Sequence, residues 1–121
     1  MASLAAHWIL GESYRETGDY DDAIVHLSAV LDSEMSHPLV YDECNTAIAL
    51  VYLDKGDFAS ALRHAEVAIE RSADSGPRKY EAQARVIRGE VHRSAGRLDL
   101  ALTEYRLAHD VAVKIESPAM E

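Results

Sequence analysis

Apolar residues recur at helical spacing along most of this chain, and the recurrence is interrupted at regular intervals. The interruptions fall at Gly18-Asp19, His37-Pro38, Gly56-Asp57, Gly76-Pro77 and Gly96-Arg97, all residue types that stop or start helices. The pattern predicts six helices, at about Leu4–Thr17, Tyr20–Ser33, Pro38–Lys55, Phe58–Ala73, Arg78–Ala95 and Leu98–Glu116, with Ser117-Pro118 closing the last. Ser3 is a candidate N-cap for the first helix and Asp19 for the second, where Asp21 and Asp22 face the positive end of the helix dipole. Gly18 tolerates the left-handed backbone that closes a helix. Pro38 takes a first-turn position, where its missing N–H is harmless. Every linker is short, so successive helices are expected to be antiparallel neighbours.

The interruptions also form a repeat. Gly18-Asp19-Tyr20-x-x-Ala23 returns as Gly56-Asp57-Phe58-x-x-Ala61 and again as Gly96-Arg97-Leu98-x-x-Ala101, with the glycines 38 and then 40 residues apart. Upstream of each copy stands a second pattern: Leu10-Gly11-x-x-Tyr14, Ile48-Ala49-x-x-Tyr52 and Arg88-Gly89-x-x-His92. Gly11, Ala49 and Gly89 would let the two helices of a hairpin approach closely, and Ala23, Ala61 and Ala101 would do so from the other helix. Tyr14, Tyr52, Tyr20 and Phe58 are expected to fill the space between hairpins. The third copy departs most, because Arg97 cannot cap as Asp does and His92 replaces an aromatic.

These residues and their spacing resemble the tetratricopeptide repeat over nearly the whole chain. The resemblance implies an all-α, right-handed solenoid of three helical hairpins, with repeats at about 4–35, 38–75 and 78–116 in one domain spanning 1–121. That family's standard period is about 34 residues. The periods here exceed it by roughly one helical turn. Longer repeats of this kind are similar to those in kinesin light chains and in the sensor domains of large bacterial transcription regulators. The Ala- and Arg-rich style suggests a bacterial source, and the start at Met1-Ala2-Ser3 is compatible with a piece excised from a longer protein.

Composition narrows the class. A hydrophobic share of 48% is too high for a disordered chain. No apolar run approaches the roughly 18 residues of a membrane span, and the N-terminus lacks a basic flank and signal-like run, so a cytoplasmic protein is expected. The single cysteine, Cys44, cannot form an internal disulfide. The net charge of −9 is lopsided. Residues 1–60 hold eleven Asp and Glu against Arg15 and Lys55, while residues 61–121 hold ten charges of each sign. An acidic first half repels nucleic acid and would suit a basic partner, though a solvated acidic surface that aids solubility is the more ordinary account.

Nothing in the chain gathers into a catalytic or metal-binding constellation. No two of the six histidines stand at i, i+4 on one helix, and no Cys or carboxylate completes a zinc pattern. His92 and His109 could approach only across the last hairpin. Cys44 sits beside Asp42 and Glu43, whose charge raises a thiol pKa and disfavours nucleophilic use. The glycines are spread one per turn, not gathered in a phosphate loop. Arg78, Lys79, Arg85, Arg88 and Arg93 make the fifth helix basic, and pairing with Glu81, Glu90 or a neighbour's carboxylates is the expected use. The expectation is therefore a protein that is not an enzyme and has no metal or other cofactor.

The family resemblance further implies a concave face lined by the first helix of each hairpin. Carrying the register over gives Trp8, Glu12 and Arg15 from the first hairpin, Glu43, Thr46, Leu50 and Leu53 from the second, and Gln83, Val86, Glu90 and Arg93 from the third. The Lys and Asn clamp with which some members grip a C-terminal carboxylate is absent. Trp8 lies three residues before Gly11, where the family tryptophan lies four before its small residue, so it turns either toward the groove or into an end cap. Such a face would suit an amphipathic helix or extended peptide with basic flanks.

In the last helix, Leu98, Ala101, Leu102, Tyr105 and Ala112 make one stripe expected to pack inward. Leu100, Leu107 and Val111 make a second, about 100–160° away, which is a candidate self-association face. The function expected is a protein-interaction scaffold, with homodimerisation or a sensor role in a larger bacterial transcription regulator as alternatives.

Overall fold

The computed structural model describes residues 3–33, 38–74 and 78–116. Six helices form there: α1 (Leu4–Thr17), α2 (Tyr20–Leu31), α3 (Pro38–Lys55), α4 (Phe58–Asp74), α5 (Arg78–Ser94) and α6 (Leu98–Glu116). They make an all-α array of three hairpins, α1–α2, α3–α4 and α5–α6, each packed against the next, with α3 also touching α5. The expected stops at His37, Gly76-Pro77 and Ser117-Pro118 lie outside the described residues.

The three hairpin turns are built alike. Gly18, Gly56 and Gly96 take φ of 86°, 90° and 80°, the left-handed region that a side chain disfavours. The following amide reaches back five residues at each turn, from Asp19 to Tyr14 (2.8 Å), Asp57 to Tyr52 (2.9 Å) and Arg97 to His92 (2.9 Å). The Arg97 backbone therefore closes its turn as the aspartates do. Side-chain capping differs. Ser3 Oγ accepts from the Ala6 amide at 3.1 Å, and Asp57 Oδ1 accepts from Ser60 at 3.2 Å. Asp19 makes no such cap, contrary to expectation. Its carboxylate instead accepts from the Thr17 hydroxyl at 2.7 Å, which holds it away from the helix.

Small residues set the spacing within hairpins. A Cβ on Gly11 would meet Leu27 Cγ at 2.6 Å, and one on Gly89 would meet Tyr105 Cε1 at 2.7 Å. Ala23, Ala49, Ala61 and Ala101 are all buried. Two apolar clusters join the hairpins. Leu27 and Val30 of α2 pack with Cys44, Ile48 and Val51 of α3. Ala61, Ala65, Ala68 and Ile69 of α4 pack with Ala84, Ile87 and Val91 of α5. Phe58 does not fill space as expected; it is 39% exposed.

Each hairpin is also pinned by one polar pair 19 residues apart in sequence. His7 Nδ1 meets His26 Nδ1 at 2.9 Å, His64 Nδ1 meets Asn45 Oδ1 at 3.0 Å, and Arg85 Nη1 donates to Glu104 Oε1 at 3.2 Å. Shifting by the repeat period superposes the three pairs. In the first two hairpins the histidine of the second helix also stacks on the tyrosine of the first, His26 on Tyr14 and His64 on Tyr52.

The last helix turns differently from the expectation. Ala101, Glu104, Ala108 and Val111 are its buried positions. Val111 therefore packs inward at 6% exposure and cannot belong to a self-association face. Leu98 and Leu102, expected inside, are 64% and 46% exposed. The cause is Glu104. It accepts from Arg88 Nε at 2.7 Å as well as from Arg85, and this buried ion pairing draws its face of α6 onto α5.

Candidate peptide-binding groove

The first helices of the three hairpins enclose two adjoining cavities. The first, of about 140 Å³, is lined by Trp8, Glu12 and Arg15 of α1, Glu43, Thr46, Ala47 and Leu50 of α3, and Tyr80 and Gln83 of α5. The second, of about 250 Å³, is lined by Thr46, Leu50, Gln83, Val86 and Ile87. Thr46, Leu50 and Gln83 are common to both, so the two form one groove running from Trp8 to Val86. Each cavity is smaller than the roughly 300–1,000 Å³ typical of small-molecule sites and takes side chains more readily than a whole ligand.

The helices fix this arrangement through their packing. Trp8 rests against the first apolar cluster and Leu50 against the second, so each presents only part of its surface to the groove. Thr46 is 4% exposed and donates its hydroxyl to the Asp42 carbonyl at 3.0 Å, which makes it wall more than contact. Arg15 lines the same cavity while paired with Asp54 at 3.1 Å, and Glu12 and Glu43 bring carboxylates to the rim. Burial, reinforced by the charges of Glu43 and Asp42 and a hydrogen bond to Glu43, raises the Tyr80 phenol above its ordinary pKa, so Tyr80 stays neutral.

Eight of the eleven residues expected at the groove thus lie together: Trp8, Glu12, Arg15, Glu43, Thr46, Leu50, Gln83 and Val86. Leu53, Glu90 and Arg93 do not join them. Leu53 packs against the second apolar cluster. Glu90 is held by Arg93 Nε at 2.8 Å and by the Tyr105 hydroxyl, and these contacts lower its pKa. Ala47, Tyr80 and Ile87 line the groove without having been expected there. Helical register carried the signal for all three: Ala47 is i+4 from Glu43, Tyr80 is i−3 from Gln83 and Ile87 is i+4 from Gln83.

The remaining candidates are structural. Cys44 is fully buried, its thiol donating to the Leu27 carbonyl at 3.0 Å, and burial pushes its pKa up to about 12, with Glu43, Asp32 and Glu12 adding to the rise. The arginines of α5 pair as expected, Arg85 with Glu81 and Glu104, Arg88 with Glu66 and Glu104, and Arg93 with Glu90. The side chains of Arg78 and Lys79 lie outside the described residues. Among the described residues no three His, Cys, Asp or Glu side chains group to hold a metal ion, and no helix is long and apolar enough to cross a membrane.

Comparison with known proteins matches the chain to one family. A tetratricopeptide repeat profile matches residues 46–110, and a second tetratricopeptide repeat profile matches residues 4–29. No curated protein and no solved structure matches the chain. With hairpins of the repeat's form along its length and a profile spanning more than half of its residues, the chain belongs to the tetratricopeptide repeat family.

Proposed function

We propose that this chain is an interaction scaffold whose concave groove binds a peptide or helix with an apolar anchor and basic flanks. Tetratricopeptide repeats generally mediate protein–protein interaction and are typically non-catalytic. The observation that carries the reading is the pair of joined cavities, with Trp8 and Leu50 supplying apolar surface and Glu12 and Glu43 at the rim. Cavities of this size suit one or two anchoring side chains. The rim carboxylates favour Lys or Arg beside them.

Selection from a random displayed-peptide library tests this. Enriched peptides should carry a large apolar residue flanked by Lys or Arg. Truncating a central anchor costs more than about 1 kcal/mol, so Leu50→Ala should weaken binding of a selected peptide about tenfold at any salt. Glu43→Gln removes an exposed charge pair that salt screens, so its smaller effect should appear mainly at low salt. Selected peptides that bind both variants as well as the parent would place binding elsewhere.

A further inference from the structure

The internal repeat supplies a test for unfilled surface, because any position can be compared with its equivalent one hairpin away. On the second hairpin, Ala61, Ala65, Ala68 and Ile69 of α4 are covered by Ala84, Ile87 and Val91 of α5. The equivalents on the third hairpin, 40 residues later, are Ala101, Tyr105, Ala108 and His109. Here Ile69 is 9% exposed, whereas the His109 side chain is 77% exposed. Beside His109 an apolar cavity of about 330 Å³ opens between α5 and α6, lined also by Ala82, Val86, Tyr105 and Ala112. It lies at the position that, one hairpin earlier, is covered by α5.

The other end of the array shows the complementary face. The α5 residues that cover the second hairpin correspond, 78 residues earlier, to Ala6, Ile9 and Ser13 of α1. Cys44 and Val51 serve at the same register in α3. On α1 that face is uncovered: Ile9 is 63% exposed and the adjacent Leu10 37%. Among the described residues the exposed large apolar side chains lie on the first and third hairpins, with Phe58 the sole exception. The middle hairpin, flanked on both sides, shows what each end lacks.

We infer that the open α5–α6 edge of one chain receives the α1 edge of a second copy, head to tail, continuing the array across the junction. Charge favours this pairing of unlike ends. Residues 4–31 hold five acidic residues against Arg15, whereas residues 78–116 hold eight basic against six acidic. Two first hairpins meeting would repel. A contact between unlike surfaces is heterologous and does not close at two copies, so assembly is open-ended unless it forms a ring. The open edge shares Gln83 and Val86 with the groove, but cysteine pairing and mass need no groove ligand, so they test this inference apart from the groove reading.

Variants with one added cysteine distinguish the geometries, with the native Cys44 buried. Ile9→Cys and His109→Cys both replace exposed residues. Under mild oxidation, an equimolar mixture should form a disulfide-linked pair, and neither variant alone should do so. No adduct in the mixture, or adducts of either variant alone as abundant as in the mixture, would overturn the inference. In parallel, light scattering of the parent should give a mass that rises with concentration past twice the 13.3 kDa of one chain. Ile9→Glu and Leu102→Glu, at exposed positions on the two edges, should each raise the concentration needed by about tenfold while leaving helicity unchanged. A parent that stays at one chain mass, or variants that associate as the parent does, would refute it.

Discussion

Replacing Gly11 by alanine opposes two effects whose balance the structure decides. Alanine is better than glycine in a helix interior by about 0.8–1 kcal/mol. Against that, the new Cβ would lie 2.6 Å from Leu27 Cγ and 2.8 Å from Cδ2, with the Ala23 carbonyl oxygen at 3.4 Å. Carbon atoms rest at about 3.5–4.0 Å, so the overlap is about 1 Å. Leu27 is among the largest fully buried side chains and has nowhere to retreat. Overpacking costs about 1–3 kcal/mol, and an overlap this deep belongs near the top of that range. The expected net loss is about 1–2 kcal/mol, or a melting point lower by about 4–8 °C.

Gly89→Ala is the matched control. Its Cβ would meet the Tyr105 ring at 2.7–3.2 Å, but Tyr105 borders the open α5–α6 cavity and can tilt into it. The loss there should be smaller, within about 1 kcal/mol of zero. A double-mutant cycle in urea isolates the contact. Leu27→Ala alone should cost about 2–5 kcal/mol. In that background Gly11→Ala should become stabilising by about 1 kcal/mol, because the clash is gone and the helix preference remains. If Gly11→Ala destabilises equally in both backgrounds, close approach at Leu27 is not why glycine stands there.

Three further outcomes are expected. His64 has a pKa below its ordinary 6.5, chiefly through burial and then through Arg63, so the unfolded chain binds the proton more readily. Its share of stability is complete above about pH 6.5 and declines as pH falls below that, and melting of His64→Gln should depend less on pH in this window than melting of the parent. Glu104→Ala strips Arg85 and Arg88 of a shared carboxylate. Buried pairs cost about 3–5 kcal/mol to break, but Arg85 keeps Glu81 and Arg88 keeps Glu66, so urea unfolding should show a loss of about 1–3 kcal/mol. Asp57→Ala removes the cap on Ser60 and should lower the melting temperature more than Asp19→Ala, which removes none.

Helix positions were legible because their signals are local. Glycine at the left-handed closing position, proline in a first turn and short polar linkers act within a few residues, and each observed helix end lies within two residues of its expected place. Orientation was harder to read. Apolar content pointed Leu98 and Leu102 of α6 inward, yet the buried side is decided by what α5 offers, and α5 offers Arg85 and Arg88 to Glu104. Hydrophobicity along one helix carries no record of a cation on another. The 19-residue polar pairs escaped notice for a related reason. His–His, Asn–His and Arg–Glu share a place in the fold but no residue type, so only register links them. Most of the groove could be read because register alone places it, while Glu90 and Arg93 were lost to each other and to Tyr105.

Trp8 is the chain's one indole, and it sits where the first apolar cluster meets the groove. The protein therefore carries a built-in optical reporter with a defined field of view. Under the proposed groove binding, a peptide side chain entering the cavity would displace water from the ring and shift its emission to shorter wavelength, with no label attached. In denaturant the same signal follows the packing of the first hairpin against the second, whereas circular dichroism follows all six helices. Coincident curves would describe an array that unfolds as one unit. A fluorescence transition preceding the loss of helicity would describe one that frays from its acidic end.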